Sequence, residues 1–444
     1  VLALSGAGTA PAQAVGLMSS PGPRTIAARV DSILAPFVAA HDFSGAVLLT
    51  RRGDVLARRS YGLADLAHGK RVTPTTRFGI GSVSKTFTAA AIEALAGAGR
   101  LTLTDPIQRY VPEFTIDSAV TLAHLLAHTA GIPDYFNLPE YASRQRQRLT
   151  LAQFAELIGR RPLDFAPGTQ SRYSNSGYKL LALVIERVSG RPFADYVRSE
   201  LLSKAGLRNS GLLRDGVTVA ALARGYDPGF PPDWLQTSAP VSPSWAEGAG
   251  SLYSTVDDLA RWAERMRSKP RTTMPGEGPS HAAFGWGERT RFGVKGLEQT
   301  GRVPMGYASF LAVYPEPDVI VVVLSNIQSA AAEQIGLALA ALALAPDSVP
   351  HLTVAPRLVA VRGEALTAYA GRYEIAPGFV LTVENGERGL LLAGPDGALL
   401  PLNAVAPPTF FFRPLYVTVR FDHDTTGRIT GLDWAGQVTA RRLP

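Results

Sequence analysis

Three prolines, at 346, 350 and 356, separate two stretches of chain that obey different periodicities. Before them, apolar residues recur at helical spacing in "TIAARVDSILAPFVAAHD", "TLAHLLAHTAG", "TLAQFAELIGR" and "SGYKLLALVIERVSG", the last three closed by glycine. Strand patterns are interleaved. "SGAVLLTRRGDVLARRSYG" reads as a hairpin turning at Arg52-Gly53-Asp54, and "GYASFLAVYPE" and "DVIVVVLSN" read as further strands before a helix at 330–345. The proline-rich run from 226 to 245 reads as a long loop over this body. Beyond about residue 365 only short strands remain, broken by turn signals such as Asn385-Gly386 and Asp396-Gly397. That pattern predicts a small antiparallel barrel or sandwich. The expected division is a leader at 1–20, a mixed helix-and-strand body at 21–348, a linker at 349–364 and the strand-only unit at 365–444.

Composition narrows the chemistry. Apolar residues make up 46% of the 444, enough for a sizeable core. With no cysteine, disulfides, thiolate catalysis and thiolate metal sites are excluded. The formal charge of +7 arises from scattered basic residues, only six of them lysine, and no basic block points to nucleic acid. No apolar run reaches the roughly 18 residues of a membrane span. The nearest, "IGLALAALALA" at 335–345, reads as a buried helix. The first residues, "VLALSGAGTAPAQA", resemble the tail of a secretory signal ending in an Ala-x-Ala site, so an exported protein is expected.

The stretch "FGIGSVSKTFTAAAIEALAGAGR" changes character abruptly, from small hydroxylated residues to an alanine-rich run. Ser82 and Lys85 stand three apart where a helix begins, a spacing that puts them on one face about 5–6 Å apart. A serine hydroxyl needs a base to become a nucleophile. A lysine serves as that base only if burial pulls its pKa far below about 10.4. The free N–H groups of a helix start can also receive a developing oxyanion. On its own, the same spacing equally describes a capping serine beside a solvated lysine.

Other segments resolve that ambiguity. "FGIGSVSKTFTA", the Tyr173-x-Asn175 of "SRYSNSGYKLLALVIERVSG", "LAHLLAHTAGIPDY", "SELLSKAGLRNSGL", "EGAGSLYSTVDDLARW" and "FGWG" occur in the order seen in one family. From 26 to 345 the chain resembles the serine β-lactamase and penicillin-binding-protein-like superfamily, in its class C β-lactamase, D-peptidase and esterase branch. The strand-only unit resembles, more weakly, the lipocalin-like barrels appended to that branch. The resemblance implies an α/β (α+β) fold, with an antiparallel sheet flanked by helices, a helical subdomain and a small C-terminal antiparallel β-barrel.

It also implies roles. Ser82 would be the acylated nucleophile and Lys85 its proton acceptor. Tyr173 would be a second proton carrier, given phenolate character by Lys85, and Asn175 would orient Lys85 and bind substrate. The third motif departs from the family's Lys-Thr-Gly or His-x-Gly, because this chain has Gln299-Thr300-Gly301 followed by Arg302. The Arg302 N–H would still complete an oxyanion hole with that of Ser82, but neutral Gln299 cannot pair with a substrate carboxylate. Unless Arg302 or Lys295 supplies that charge, ester or amide substrates lacking the carboxylate are favoured.

The expected activity is therefore acyl-enzyme hydrolysis of a small-molecule or peptide substrate, with no metal and no cofactor. D-Ala-D-Ala carboxypeptidase, D-aminopeptidase or weak β-lactamase activity, and a penicillin sensor or scaffold that does not turn over, are the alternatives. The barrel is expected to shape the mouth of the site. His128 belongs to a turn in this family, and "FDHDTTG" at 421–427 reads as a polar turn rather than a metal site. Trp234, Trp245 and the Tyr135-Phe136 pair fit either a pocket rim or core packing.

Overall fold

The computed structural model describes residues 25–116, 120–267, 285–348, 352–361, 363–376, 379–393 and 399–444. The leader at 1–20 and Asp396-Gly397 lie outside them. Strands β1 (Gly45–Arg51) and β2 (Asp54–Tyr61) form the hairpin expected from the sequence. Arg52 and Gly53 both take positive φ, 54° and 81°, as a tight two-residue turn between twisted strands requires. Strands β3 (Gly287–Arg291), β4 (Val294–Val303), β5 (Tyr307–Tyr314) and β6 (Val319–Ser325) complete a six-stranded antiparallel sheet in the order β3-β4-β5-β6-β1-β2.

Every residue of β5 and β6 is buried, so both faces of the sheet must be covered. Alternate side chains supply two cores. Leu311, Val313, Ile320, Val322 and Leu324 enter one, and Phe310, Ala312, Tyr314, Val321 and Val323 enter the other. Helices α1 (Ile26–Ala39) and α5 (Ala331–Leu344) cover the second face. In α1, Val30, Leu34 and Phe37 fall on one stripe, and Thr25 caps the helix by accepting the Ala28 N–H at 3.3 Å.

The opposite core is larger and holds the helical part of the molecule. There α2 (Ser84–Gly97) packs against α3 (Asn175–Ser189) and α4 (Val256–Arg267) lies on the sheet. The run Ala89-Ala90-Ala91 is buried, and side chains this small let α2 and α3 approach closely. Phe87 stacks on Trp262 with ring centres 4.0 Å apart, which ties α2 to α4. The segment expected to be an irregular loop after residue 226 is partly ordered as a ladder. Tyr226–Pro228 pairs with Leu235–Thr237, closed by the Gly229 N–H donating to the Trp234 carbonyl.

Residues 371–442 form a closed antiparallel barrel of eight strands, with the first pairing the last at Tyr373 and Arg442. Leu381, Val383, Leu390, Leu392, Leu402, Phe410, Phe412, Val419, Phe421 and Leu432 fill its interior, so the barrel is a packed core. Asn385-Gly386 is not its turn as the sequence suggested. Both residues stay in the ladder, Gly386 opposite Gly389, and Glu387-Arg388 makes the turn.

The barrel meets the sheet-and-helix body through the turn Arg413–Tyr416. Arg413 is completely buried against an equally buried Asp42, with Nε donating to Asp42 Oδ1 at 2.6 Å. Its remaining donors reach the carbonyls of Trp234 (2.7 Å) and His41 (2.6 Å), and the Tyr416 hydroxyl donates to Asp42 Oδ2 at 2.9 Å. Burial pushes the Asp42 carboxyl above its ordinary range despite the arginine. The pair therefore serves to fix how the two parts dock more than to add net stability. Removing one partner strands the other charge. Asp42→Ala should lower the unfolding free energy by about 3–5 kcal/mol in chemical denaturation, and combining it with Arg413→Met should recover most of that loss.

Candidate active site

The residues singled out from sequence converge where α2 begins. A 3-10 turn, Gly81–Val83, precedes the helix and carries Ser82. Gly81 has a φ of 50°, and a Cβ on it would lie 2.7 Å from the backbone N of Arg302. From the other side, a Cβ on Gly301 would lie 2.1 Å from the Ile80 carbonyl and 3.0 Å from the Ser82 N. Two glycines thus allow β4 to press against the turn, and Ser309 Oγ clamps the contact by donating to the Ile80 carbonyl at 2.7 Å. The pairing of β3 with β4 ends at Glu298, which hands the edge from Gln299 onward to the Ser82 turn. The backbone N atoms of Ser82 and Arg302, the two expected oxyanion donors, both border this seam.

Ser82 Oγ lies 2.6 Å from the Tyr173 hydroxyl and 3.2 Å from Lys85 Nζ. Lys85 is fully buried and also donates to Asn175 Oδ1 at 2.7 Å and to the Ala249 carbonyl at 2.8 Å. Burial lowers its pKa to about 7, against an opposing pull from the Asp134 carboxylate. Burial acts on Tyr173 in the other sense. It raises the phenol well above its ordinary value, more than the bond to Ser82 and the charge of Arg302 lower it. Burial thus works against the expected phenolate character of Tyr173. Lys85 Nζ stands over the Tyr173 ring, 4.8 Å from its centre, and its own charge is half lost near pH 7.

One residue at this site was missed. Asp134 Oδ2 accepts from the Asn175 backbone N–H at 3.1 Å and from Asn175 Nδ2 at 2.8 Å, while Oδ1 accepts from the Phe136 N–H at 3.1 Å. In sequence it looks like an ordinary capping aspartate before Tyr135–Asn137, and it does fill that role. The available signal was its place in "HTAGIPDY", within the ordered landmarks.

Some of the other candidates lie beside this group and some lie elsewhere. His128 has φ of 59° and accepts the Ser174 N–H on Nδ1 at 3.2 Å; burial first, then the charge of Lys85, lowers its pKa to about 3. It is a neutral ring packed 4.6 Å from that of Tyr173. Gln299 Nε2 donates to the Ser82 carbonyl at 3.2 Å, and Thr300 is half-buried beside it. Arg302 turns toward the barrel, donating to the Pro414 carbonyl at 3.0 Å, whereas Lys295 is exposed near the start of β4. Trp245 and Tyr135 are core residues of one aromatic cluster, and Trp234 stacks on His41 near Arg413. In "FDHDTTG", Asp424 accepts the N–H groups of Thr426 and Arg428, a polar turn.

Sheet, flanking helices and the Ser82–Lys85–Tyr173 arrangement together define a serine β-lactamase-like architecture. A family model described as Beta-lactamase matches residues 30–345, and the chain belongs to that family. It is 28% identical over 417 residues to "Penicillin-binding protein 4*" of Bacillus subtilis (strain 168), covering 86% of this chain and 90% of the relative. A crystal structure of a penicillin-binding protein from Bacillus halodurans superposes with a TM-score of 0.58 at 30% identity, covering 67% of this chain and 94% of the other. An octameric penicillin-binding protein homologue from Pyrococcus abyssi shares the fold over 93% of this chain and 99% of its own, with a TM-score of 0.61 and 22% identity. No helix among the described residues is long and apolar enough to cross a membrane.

The close approach of β4 to the turn can be tested directly. Gly301→Ala places a methyl group 2.1 Å from the Ile80 carbonyl, so strand and turn must separate. Displacing one oxyanion donor should lower kcat of any hydrolytic activity about 10²–10³-fold, measured by steady-state kinetics on folded protein.

Proposed function

We propose that the chain is a serine hydrolase that acts through an acyl-enzyme on Ser82. The observation that carries this reading is the position of Ser82 Oγ, held 2.6 Å from the Tyr173 hydroxyl and 3.2 Å from the Nζ of a fully buried Lys85. Neutral Lys85 takes the Ser82 proton as Oγ attacks the carbonyl carbon of an ester or amide. The oxyanion is received by the N–H groups of Ser82 and Arg302. As the intermediate collapses, Tyr173 gives its proton to the leaving alcohol or amine and is reprotonated from Lys85. Water then attacks the acyl carbon and passes a proton along the same path, which frees the acid and restores Ser82.

Ester or amide substrates without a carboxylate are the favoured class. Gln299 carries no charge and is tied to the Ser82 carbonyl, so the third motif offers no cation of the family kind. A β-lactam-directed reading, as D-Ala-D-Ala peptidase, weak β-lactamase or penicillin sensor, is supported by the name of the Bacillus subtilis relative. An exported location is part of the proposal and is supported by the apolar leader ending in Ala12-Gln13-Ala14.

The test is covalent labelling with a fluorophosphonate and with penicillin, followed over time by mass spectrometry, with Ser82→Ala as blank. A permanent fluorophosphonate adduct on Ser82 and a transient one from an acyl ester are expected. A persistent penicillin adduct would assign the sensor instead, and labelling that survives Ser82→Ala would sink the proposal. The pH dependence follows from the two titrations. Below about pH 7 Lys85 is charged and cannot accept a proton, so kcat/KM should rise with pH through one ionisation near 7. Tyr173 keeps its proton through the neutral and mildly basic range, so a plateau should follow, read with a p-nitrophenyl ester between about pH 5 and 9.

A further inference from the structure

Lys85 accomplishes nothing in this scheme unless Asn175 presents oxygen to it rather than nitrogen. The two ends of a carboxamide are nearly the same size, so only their partners decide which way it points. Turned the other way, Nδ2 would meet the Lys85 N–H groups donor against donor, or take the lone pair that has to accept the Ser82 proton. Asp134 is the partner that decides. Its Oδ2 accepts from Nδ2 at 2.8 Å and from the backbone N–H of the same residue at 3.1 Å, which leaves Oδ1 of Asn175 facing Lys85 Nζ at 2.7 Å.

The segment bearing Asp134 is itself stitched to the first turn of α3 on both sides. Ser176 Oγ donates to the Pro133 carbonyl at 2.7 Å and accepts the Tyr135 N–H at 3.0 Å. Tyr135 is buried, and the carboxylate is further held by the Phe136 N–H. These contacts leave Asp134 little freedom to follow Asn175 if the amide turns. The constraint therefore runs from the Pro133–Tyr135 segment to the amide and from the amide to the lysine.

We propose that Asp134 is a positioning residue for Lys85, locking the Asn175 amide in the orientation that offers its oxygen and placing a fixed negative charge one residue beyond the base. The inference rests on the serine hydrolase reading above and assigns within it the residue that sets the base.

The groups facing Lys85 define what that charge does. They are Ser82 on the preceding turn, Tyr173 ahead of α3, Tyr178 within α3 with its ring 5.5 Å from Nζ, His128 beyond Leu122–Leu126, and the Ala249 carbonyl. Tyr173 and Tyr178 keep their protons and His128 is neutral, so Asp134 brings the negative charge to this group. That charge favours protonated Lys85 and opposes burial, which favours the neutral amine.

Asp134→Asn removes the charge and leaves the Asn175 amide free to turn. Its expected signature has two parts: kcat falls about 10–100-fold with KM nearly unchanged, and the acid limb of kcat/KM moves to lower pH. The loss in kcat should largely vanish in an Asn175→Ala background, because the two residues act through one amide. Rates are taken per site titrated with fluorophosphonate, so loss of folded protein does not count as loss of activity.

Asp134→Glu is the second variant. It keeps the charge and moves the carboxylate, so its acid limb should stay near wild type while kcat falls. An unchanged plateau and acid limb in Asp134→Asn, or a kcat loss fully additive with Asn175→Ala, would overturn the assignment. If Asp134→Asn does not fold, an Asp134→Glu enzyme with wild-type kcat per titrated site would overturn it as well. A wild-type protein that no fluorophosphonate labels would instead refute the serine hydrolase reading itself.

Discussion

A lysine amine taken completely out of water is the constraint around which this structure is organised. An unpaired buried charge is prohibitively unfavourable, so a buried lysine must find acceptors, lose its proton, or do both. Lys85 does both. Its acceptors come from segments far apart in sequence, Asn175 at the start of α3 and the Ala249 carbonyl. The neighbouring contacts hold those segments still. Thr88 Oγ1 donates to the Gly248 carbonyl at 2.6 Å, and a second buried lysine, Lys179, donates to the Ser244 carbonyl at 2.7 Å. The stretch 244–249 is thus fastened at both ends by side chains of α2 and α3. The alanine run of α2 has its meaning here, because bulkier residues would push apart the two helices that carry these groups.

The second requirement is close approach of backbone to backbone. The proposed oxyanion site, built from N–H groups of a strand and a helix start, needs the two chains nearly in contact, and Gly81 and Gly301 allow that approach. The strand that approaches is also the one anchored to the barrel. Arg302 follows Gly301, and its guanidinium is held by the Pro414 carbonyl, one residue from the buried Arg413–Asp42 pair. A single turn of the barrel therefore fixes its own docking and touches the residue whose backbone N–H faces Ser82.

Much of this was legible in sequence, and the parts that were not share a cause. The near-continuous apolar runs in "GYASFLAVYPE" and "DVIVVVLSN" identified two strands because each is buried on both faces, and the short strands beyond 365 announced an antiparallel unit. Ser82, Lys85, Tyr173 and Asn175 were recoverable because their motifs keep a fixed spacing and order. What failed depended on contacts that spacing does not encode. The Asn385-Gly386 pair carries a strong local turn signal, yet the ladder extends past it and turns at Glu387-Arg388. Proline between 226 and 237 suggested loop, but the ladder needs only three residue pairs, with Pro228 at its inner end opposite Leu235 and Pro231-Pro232 left in the connection. Asp134 looked like a cap because it is one, and only the fold brings its second oxygen to Asn175.

The two roles expected of Lys85, a neutral proton acceptor and a cation that gives Tyr173 phenolate character, pull against each other in a buried site. Burial has opposite consequences for the two groups, because it disfavours whichever form is charged. The amine is pulled toward neutrality from above and the phenol is held neutral from below. Near pH 7 the amine has lost about half its charge and the phenol is held neutral, with Ser82 Oγ between them. In the proposed mechanism charge separation arises as the Ser82 proton leaves, when an ammonium forms near Asp134 and an oxyanion forms against the N–H groups of Ser82 and Arg302. In a site of low dielectric, fixed dipoles and charges aimed at those two points act far more strongly than water would. The desolvation that makes Lys85 costly in the resting protein is therefore what lets the surrounding groups discriminate in favour of the transition state.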